Sequence, residues 1–410
     1  MRPDPISLRA RVVFPVDRAP IEHGVVTIDG ERIVAVGTEA EAGHLIDLGP
    51  VALLPGLVNA HTHLEFSHLR RPLGEPGISL VDWIRLVIAE RGRRDRDASE
   101  AIAAGLAESI ACGVTTVGEI SQGDANAYAN AAIDLTLLLE VIGFSRARAD
   151  SAFEAILERL AAVAGRSGMQ LGLSPHAPYT VWPELLRRLI KLSRERDMPV
   201  AMHLAESAEE LELLASGSGP LQQLLEERGM WDAAAIPRGS RPMDYLRLLA
   251  EAPRTLVIHG NYLNDEERTF LAAHVDRMSL VYCPRTHAYF GHPPYPLAEL
   301  QAAGVRVALG TDSRASNPDL DLLAEMRFVA RTFPQIDPLE ILHMGTLAGA
   351  EALGRADDVG SITSGKLANL VAIPLRGNAR GTPDELLAAT LANGEPRCGV
   401  WILGALQRES

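Results

Sequence analysis

The sequence predicts an α/β architecture: a (β/α)8 barrel carrying a small β-sandwich-like domain formed by both chain termini. Three observations lead there. Eight short apolar runs recur through the middle of the chain, longer amphipathic segments separate them, and the two ends share a different rhythm of short strands and turns. Apolar runs rich in β-branched residues are the mark of strands buried on both faces, as parallel strands are. Interleaved with helices in this number they close into a barrel more readily than they spread into an open sheet. No glycine-rich dinucleotide fingerprint follows the first strand, which weakens the open doubly wound alternative.

From the start of the chain, RARVVFPV, GVVTIDG and RIVAVG read as strands and hairpins punctuated by Gly, Pro and Asp. Residues 1–52 are therefore assigned to the small domain. The barrel is expected over 53–355, with strands at VALLPGLV, VTTVGEI, LTLLLEVIG, MQLGLS, PVAMHLA, RTLVIHG, MSLVYC and VRVALGTD. Helices are expected in GISLVDWIRLVIAERGRR, SAFEAILERLAAVAG, WPELLRRLIKLSRERD and PDLDLLAEMRFVARTF. The stretch from Glu206 to Arg254 is too long for one crossover helix and predicts an excursion over the barrel mouth. GSITSGKLANLVAIPL and EPRCGVWILGALQ return to the strand style, so 356–410 completes the small domain.

The chain has 53 acidic and 39 basic residues, a formal charge of 53 − 39 = 14 negative. Phosphates and anionic lipids call for a basic face, so the expected partner is a small-molecule substrate rather than nucleic acid or membrane. A homo-oligomer is compatible with everything in the sequence. No apolar run reaches the roughly 18–20 residues of a membrane span. The opening MRPDPISLRARVVFPV lacks the apolar core of a signal peptide. Cys112, Cys283 and Cys398 are few, odd in number and far apart. That usage points to reduced thiols and a cytoplasmic protein.

In a barrel, residues just past the carboxyl ends of the strands converge on one mouth. His61 and His63 follow LLPGLVNA, His176 follows MQLGLSP, His203 closes PVAMH, His259 closes RTLVIH, and Asp312 closes VRVALGTD. On extended chain, side chains two apart point the same way, so His61 and His63 can reach one ion. His203 adds a third nitrogen and Asp312 an oxygen. This set suits one divalent cation, Zn²⁺ with Fe²⁺ as the alternative, and leaves room for a water. Glu206 stands three residues past His203, where a turn of helix brings it to the same side. A carboxyl there can take a proton from the water and pass it to the substrate. Glu209, Glu210 and Glu212 read as the solvated face of an acidic helix start. His259 is expected to hold the attacking water or the incoming oxygen, and Asp312 to serve as both ligand and proton acceptor. His176 is assigned to substrate. Trp83 is a candidate stacking partner for a planar ring, although a tryptophan on an amphipathic helix is more often core.

These motifs resemble the amidohydrolase superfamily over essentially the whole chain. LLPGLVNAHTHLE is similar to its first-strand motif, HLAE to its fifth and LGTD to its eighth; GSITSGKLANLVAI is similar to its return to the small sheet. Asn369 stands there where an aspartate is expected. Two-metal members commonly bridge their ions with a carboxylated lysine at a strand end. The two lysines here, Lys191 and Lys366, lie in a helix-like segment and in the returning sheet. Glu119 and Glu140 lie near strand ends and could substitute. The set His61, His63, His203, Glu206, His259 and Asp312 resembles the mononuclear aminohydrolases that deaminate nucleobases and nucleosides. The resemblance implies attack of a metal hydroxide on the amino-bearing carbon, with Glu206 as general acid/base and ammonia leaving. SPHAPYTV and LGTDSRASNPDLDLLAEMR resemble deaminases of S-adenosylhomocysteine and methylthioadenosine. NAHTHLEFSHL with GISLVDWIRLVI is more similar to aminodeoxyfutalosine deaminases of the menaquinone route. In CPRTHAYFGH, Thr286 and His287 replace an expected Ser-Asn pair. The expected activity is hydrolysis of an adenine amine, with aminodeoxyfutalosine as the first candidate substrate. The alternatives with the same site are S-adenosylhomocysteine or methylthioadenosine, guanine, a chlorotriazine or a cyclic amide. A barrel kept only as a binding scaffold is disfavoured, since no member of the set is missing.

Overall fold

The computed structural model describes residues 4–40, 43–93, 98–123, 125–129, 131–163, 168–375, 380–392 and 397–409. Eight parallel strands form one sheet in sequential order: β1 (Leu57–Thr62), β2 (Val114–Ser121), β3 (Asp134–Val141), β4 (Met169–Pro175), β5 (Val200–Leu204), β6 (Thr255–His259), β7 (Met278–Tyr282) and β8 (Val307–Leu309). Every residue of β1, β2, β5, β6, β7 and β8 is buried, the physical counterpart of their unbroken apolar spelling. The sheet closes between its two edges. Thr62 bridges Asp312 in parallel, and the Asp312 N–H donates to the His61 carbonyl at 3.1 Å. Asn59 Nδ2 donates to Thr311 Oγ1 at 2.8 Å, while the Thr311 N–H donates to Asn59 Oδ1 at 3.1 Å. The result is the (β/α)8 barrel.

One expected strand is in fact two. VALLPGLV divides at Gly56: Val51–Pro55 belongs to the small domain and Leu57 opens β1. The break needs glycine, because a Cβ at position 56 would lie 2.1 Å from Thr115 Oγ1. Residue 52 thus lies inside a strand whose antiparallel partner is Leu370–Pro374.

Both ends of the chain build the small domain. Ile6–Arg9, Val25–Asp29, Arg32–Gly37 and His44–Asp47 make a four-stranded sheet. A six-stranded sheet combines Val12–Val13, Ile21–Glu22 and Val51–Pro55 with Leu370–Pro374, Gly399–Ile402 and Ala405–Glu409. Leu8, Val26, Ile28, Leu53, Leu370 and Trp401, drawn from both sheets, share one buried cluster. Asn369 Oδ1 accepts the Leu403 N–H at 2.9 Å, tying down the last hairpin. Helix Pro383–Ala392 packs on helices Leu322–Thr332 and Pro338–Met344 of the barrel and on strand Val51–Pro55 of the six-stranded sheet.

Between β5 and β6 the chain makes the expected excursion, in helices Ala208–Ser216, Pro220–Glu227 and Pro242–Leu249. Helix Pro220–Glu227 lies against helix Leu80–Arg93, and together they roof the barrel mouth. Among the described residues no helix is long and apolar enough to cross a membrane, and Cys112, Cys283 and Cys398 are all free thiols.

Candidate active site

His61 and His63 sit at the carboxyl end of β1, His203 at the end of β5, His259 at the end of β6, and Asp312 just past β8. The barrel brings all five to one point. Imidazole centroids are 4.9 Å apart for His61 and His63, 5.0 Å for His61 and His203, 5.5 Å for His203 and His259, and 5.7 Å for His61 and His259. Asp312 Oδ1 lies 3.7 Å from His61 Nε2 and 3.8 Å from His63 Nε2. These separations are too long for hydrogen bonds. They are close to the roughly 3.4 Å between two ligands bound at about 2.1 Å to a tetrahedral ion.

Three further features fit a cation. Both ring nitrogens of fully buried His61, and Nδ1 of His63, have no hydrogen-bond partner. Unpartnered buried nitrogens are costly unless something else takes their lone pairs. The His203 Nδ1–H donates to the His176 carbonyl at 3.0 Å, which leaves Nε2 to face the cluster. Burial is the main reason that His63, His203 and His259 are held well below the ordinary imidazole range, so each presents a neutral ring. Burial pushes Asp312 upward, but the imidazoles of His61, His259 and His63 outweigh it and keep the carboxyl below its usual range. Ser316 Oγ donates to Asp312 Oδ2 at 2.9 Å, fixing the carboxylate so that Oδ1 faces the histidines.

Among the described residues two groups have ligand atoms close enough to share an ion: His61 with His203 and His259, and His61 with His63 and Asp312. His61 belongs to both. His259, expected only to hold water or oxygen, is therefore as near the cluster as the expected ligands are. Neither group contains Glu119 or Glu140. Glu119 is consumed elsewhere: its oxygens accept the Leu64 N–H at 3.1 and 3.0 Å and the Tyr128 hydroxyl at 2.7 Å, bracing the turn after His63.

Glu206 is buried, with Oε1 3.5 Å from His259 Nε2. Burial, and then the charges of Asp312, Glu210 and Glu209, raise its carboxyl well above the usual range. Such a carboxyl keeps its proton to higher pH than an exposed one, as a proton donor must. Three of the left-handed non-glycine residues occur here, at Ala205 (φ 53°), His259 (φ 68°) and Asp312 (φ 56°). Strain of this kind, held by surrounding structure, re-aims side chains at strand ends.

A cavity of about 270 Å³ opens from the cluster. His176 lines it; its Nδ1 lies 2.8 Å from Thr180 Oγ1, its Nε2 is 3.8 Å from Glu140 Oε1, and burial holds its pKa at about 3. Trp83 also lines it, with the indole N–H donated to the Ala315 carbonyl at 2.8 Å, which fixes the ring. Thr286 and His287 do not line it. Thr286 Oγ1 is 3.1 Å from Ser316 Oγ, behind Asp312, and His287 packs against Tyr282 and Tyr295.

Two sets of residues escaped the sequence reading. The apolar roof of the cavity includes Ile84 and Val87 from one helix and Leu221, Leu224 and Leu225 from the other. Their spacing of three and four was legible as a helical face, but not which surface it met. Glu210 corrects an expectation: it is fully buried, not a solvated member of an acidic helix start.

The model of the amidohydrolase family matches residues 52–403. A 5-methylthioadenosine/S-adenosylhomocysteine deaminase of Moorella thermoacetica is 31% identical over 396 residues, covering 90% of this chain and 86% of the relative. Among solved structures, a zinc-bound adenosine deaminase from Xanthomonas campestris superposes with a TM-score of 0.78 at 27% identity, over 98% of this chain and 92% of the other. The aminofutalosine deaminase of Helicobacter pylori shares the fold, with a TM-score of 0.86 at 23% identity over 98% and 99% of the two chains. With a family model spanning most of its length and a relative of that identity over nine-tenths of it, the chain belongs to the amidohydrolase family and is a hydrolase of carbon–nitrogen bonds.

Proposed function

We propose that this protein is a metal-dependent deaminase that hydrolyses the adenine amine of a purine nucleoside. The observation that carries the reading is the convergence of His61, His63, His203, His259 and Asp312 on one point, with Glu206 Oε1 3.5 Å from His259 Nε2. His61, His63, His203 and Asp312 would hold one divalent cation, with Zn²⁺ the first candidate. When bound, that cation supplies a water acidic enough to lose a proton near neutral pH.

The chain's own groups do the rest. Asp312 takes a proton from the attacking water, and His259 Nε2 orients that water toward the amino-bearing carbon. Glu206 protonates the adjacent ring nitrogen, so that charge developing in the ring is neutralised as the carbon–oxygen bond forms. The proton that Asp312 took from the water passes to the amine, the carbon–nitrogen bond breaks and ammonia leaves, and the remaining proton of the added oxygen returns to Glu206 as the carbonyl forms. His176 and Trp83 hold the base, while the apolar roof excludes water from the reacting centre.

Aminodeoxyfutalosine is the substrate we put first. The motif after His63 supports it, as does a cavity whose apolar roof suits a bulky substituent beyond the base. A second reading, methylthioadenosine or S-adenosylhomocysteine, is favoured by the name and coverage of the Moorella relative. Ammonia release by the zinc-loaded protein from all three nucleosides separates them. The substrate with the highest kcat/KM identifies the tail, and silence against every purine nucleoside refutes the deaminase reading.

A further inference from the structure

The turn that carries Glu206 is held on both sides. Residues past His259 claim its carbonyls: Gly260 N–H donates to Leu204 O at 3.1 Å, Tyr262 N–H to Ala205 O at 3.0 Å, and Asn261 Nδ2 to Glu206 O at 2.9 Å. Its N–H groups go to one side chain. Glu210 Oε1 accepts from Ala205 N at 2.9 Å, and Glu210 Oε2 accepts from Glu206 N at 2.9 Å.

Glu210 occupies the third position of helix Ala208–Ser216, whose N-cap is Ser207. In an ordinary capping box the side chain at that position returns to the N–H of the cap residue. Here the reciprocal half is present, with Ser207 Oγ accepting from Glu210 N at 3.2 Å, but the carboxylate reaches past the cap to the two preceding residues. Those are the left-handed Ala205 and the residue that presents the candidate acid. A fully buried carboxylate with each oxygen on one N–H defines the turn more tightly than a cap requires.

We propose that Glu210 is a positioning residue, whose carboxylate locks the left-handed turn at Ala205 and thereby aims Glu206 at the reacting centre. The inference rests on the deaminase reading for its chemistry but not for its geometry. An amide cannot replace the carboxylate, since Gln at 210 would offer one acceptor oxygen and turn its NH2 toward the other N–H.

The test compares Glu210→Gln and Ser207→Ala in the metal-loaded enzyme. For Glu210→Gln, kcat should fall about 10- to 100-fold. KM should stay within about threefold and bound metal should be unchanged. Amide exchange at Ala205 and Glu206 should quicken at least about tenfold, while the body of helix Ala208–Ser216 changes little. Ser207→Ala removes the ordinary cap and should leave kcat intact. The proposal is overturned if Glu210→Gln keeps its kcat per folded chain, if exchange quickens equally along the whole helix, or if metal is lost in step with activity. Should Glu210→Gln not fold, Glu210→Asp, one methylene too short to meet both N–H groups, is judged by the same three outcomes. If the wild type releases no ammonia from any purine nucleoside, the deaminase reading fails by itself, and the exchange measurement still decides whether Glu210 holds the turn.

Discussion

Glu206 and Asp312 are carboxyls in one buried pocket whose surroundings push them apart, Glu206 upward and Asp312 downward. Under the proposed deaminase reading, that separation suits Glu206 to the proton donor's part and Asp312 to the ionised oxygen's. Replacing Glu206 by Gln keeps the shape and removes the transferable proton. Turnover should fall about 10²- to 10⁴-fold with metal content unchanged, measured as ammonia release beside elemental analysis. Removing a cluster member acts differently: Asp312→Asn or His61→Ala should lower bound metal below half an ion per chain. The cluster was legible in the sequence because strand ends fix where side chains go, which brings four histidines and an aspartate together and sets His176 in the adjoining cavity wall. Glu210 was not legible. An acidic residue in a first helical turn reads the same whether it faces water or reaches back to buried N–H groups, and only the backbone path distinguishes the two.

At the scale of elements, the eight barrel strands were legible because burial on both faces leaves no polar alternation to confuse them. The first run misled for a local reason: apolarity continues across Gly56 while the chain changes sheet. Gly56→Ala should therefore destabilise by about 1–3 kcal/mol, seen as a lowered midpoint of denaturant unfolding with an unchanged m-value. Helix Pro383–Ala392 sits between the two parts, packed on barrel helices and on the small-domain strand Val51–Pro55. The roof offers a cleaner functional probe. Ile84 lines the cavity without touching the reacting centre, so Ile84→Ala should raise KM roughly tenfold and leave kcat within about threefold. By contrast, the exposed ion pair of Arg85 with Glu227, which joins the two roof helices, should contribute less than about 1 kcal/mol.

For the whole molecule, burial of neutral imidazoles makes folding depend on pH. Burial, together with the charge of the neighbouring His292, lowers His287 to about 4; burial, opposed by Glu209, lowers His292 to about 4. Above pH 6.5 both rings are neutral folded or unfolded, and they add no pH dependence. Between 6.5 and about 4 the unfolded chain takes up protons that the folded chain refuses, so stability falls with pH across that window. Denaturant unfolding at pH 7.5 and 5.0 should show the loss, and a double His287→Gln, His292→Gln variant should show less of it. The closed barrel is what the account finally depends on, since it gathers ligands separated by some 250 positions of chain. Anomalous diffraction from zinc-loaded crystals tests this most directly. The account predicts one peak per chain, about 2.0–2.2 Å from His61 Nε2, His63 Nε2, His203 Nε2 and Asp312 Oδ1. No peak at that point, or one whose ligands exclude His203 and Asp312, would contradict it.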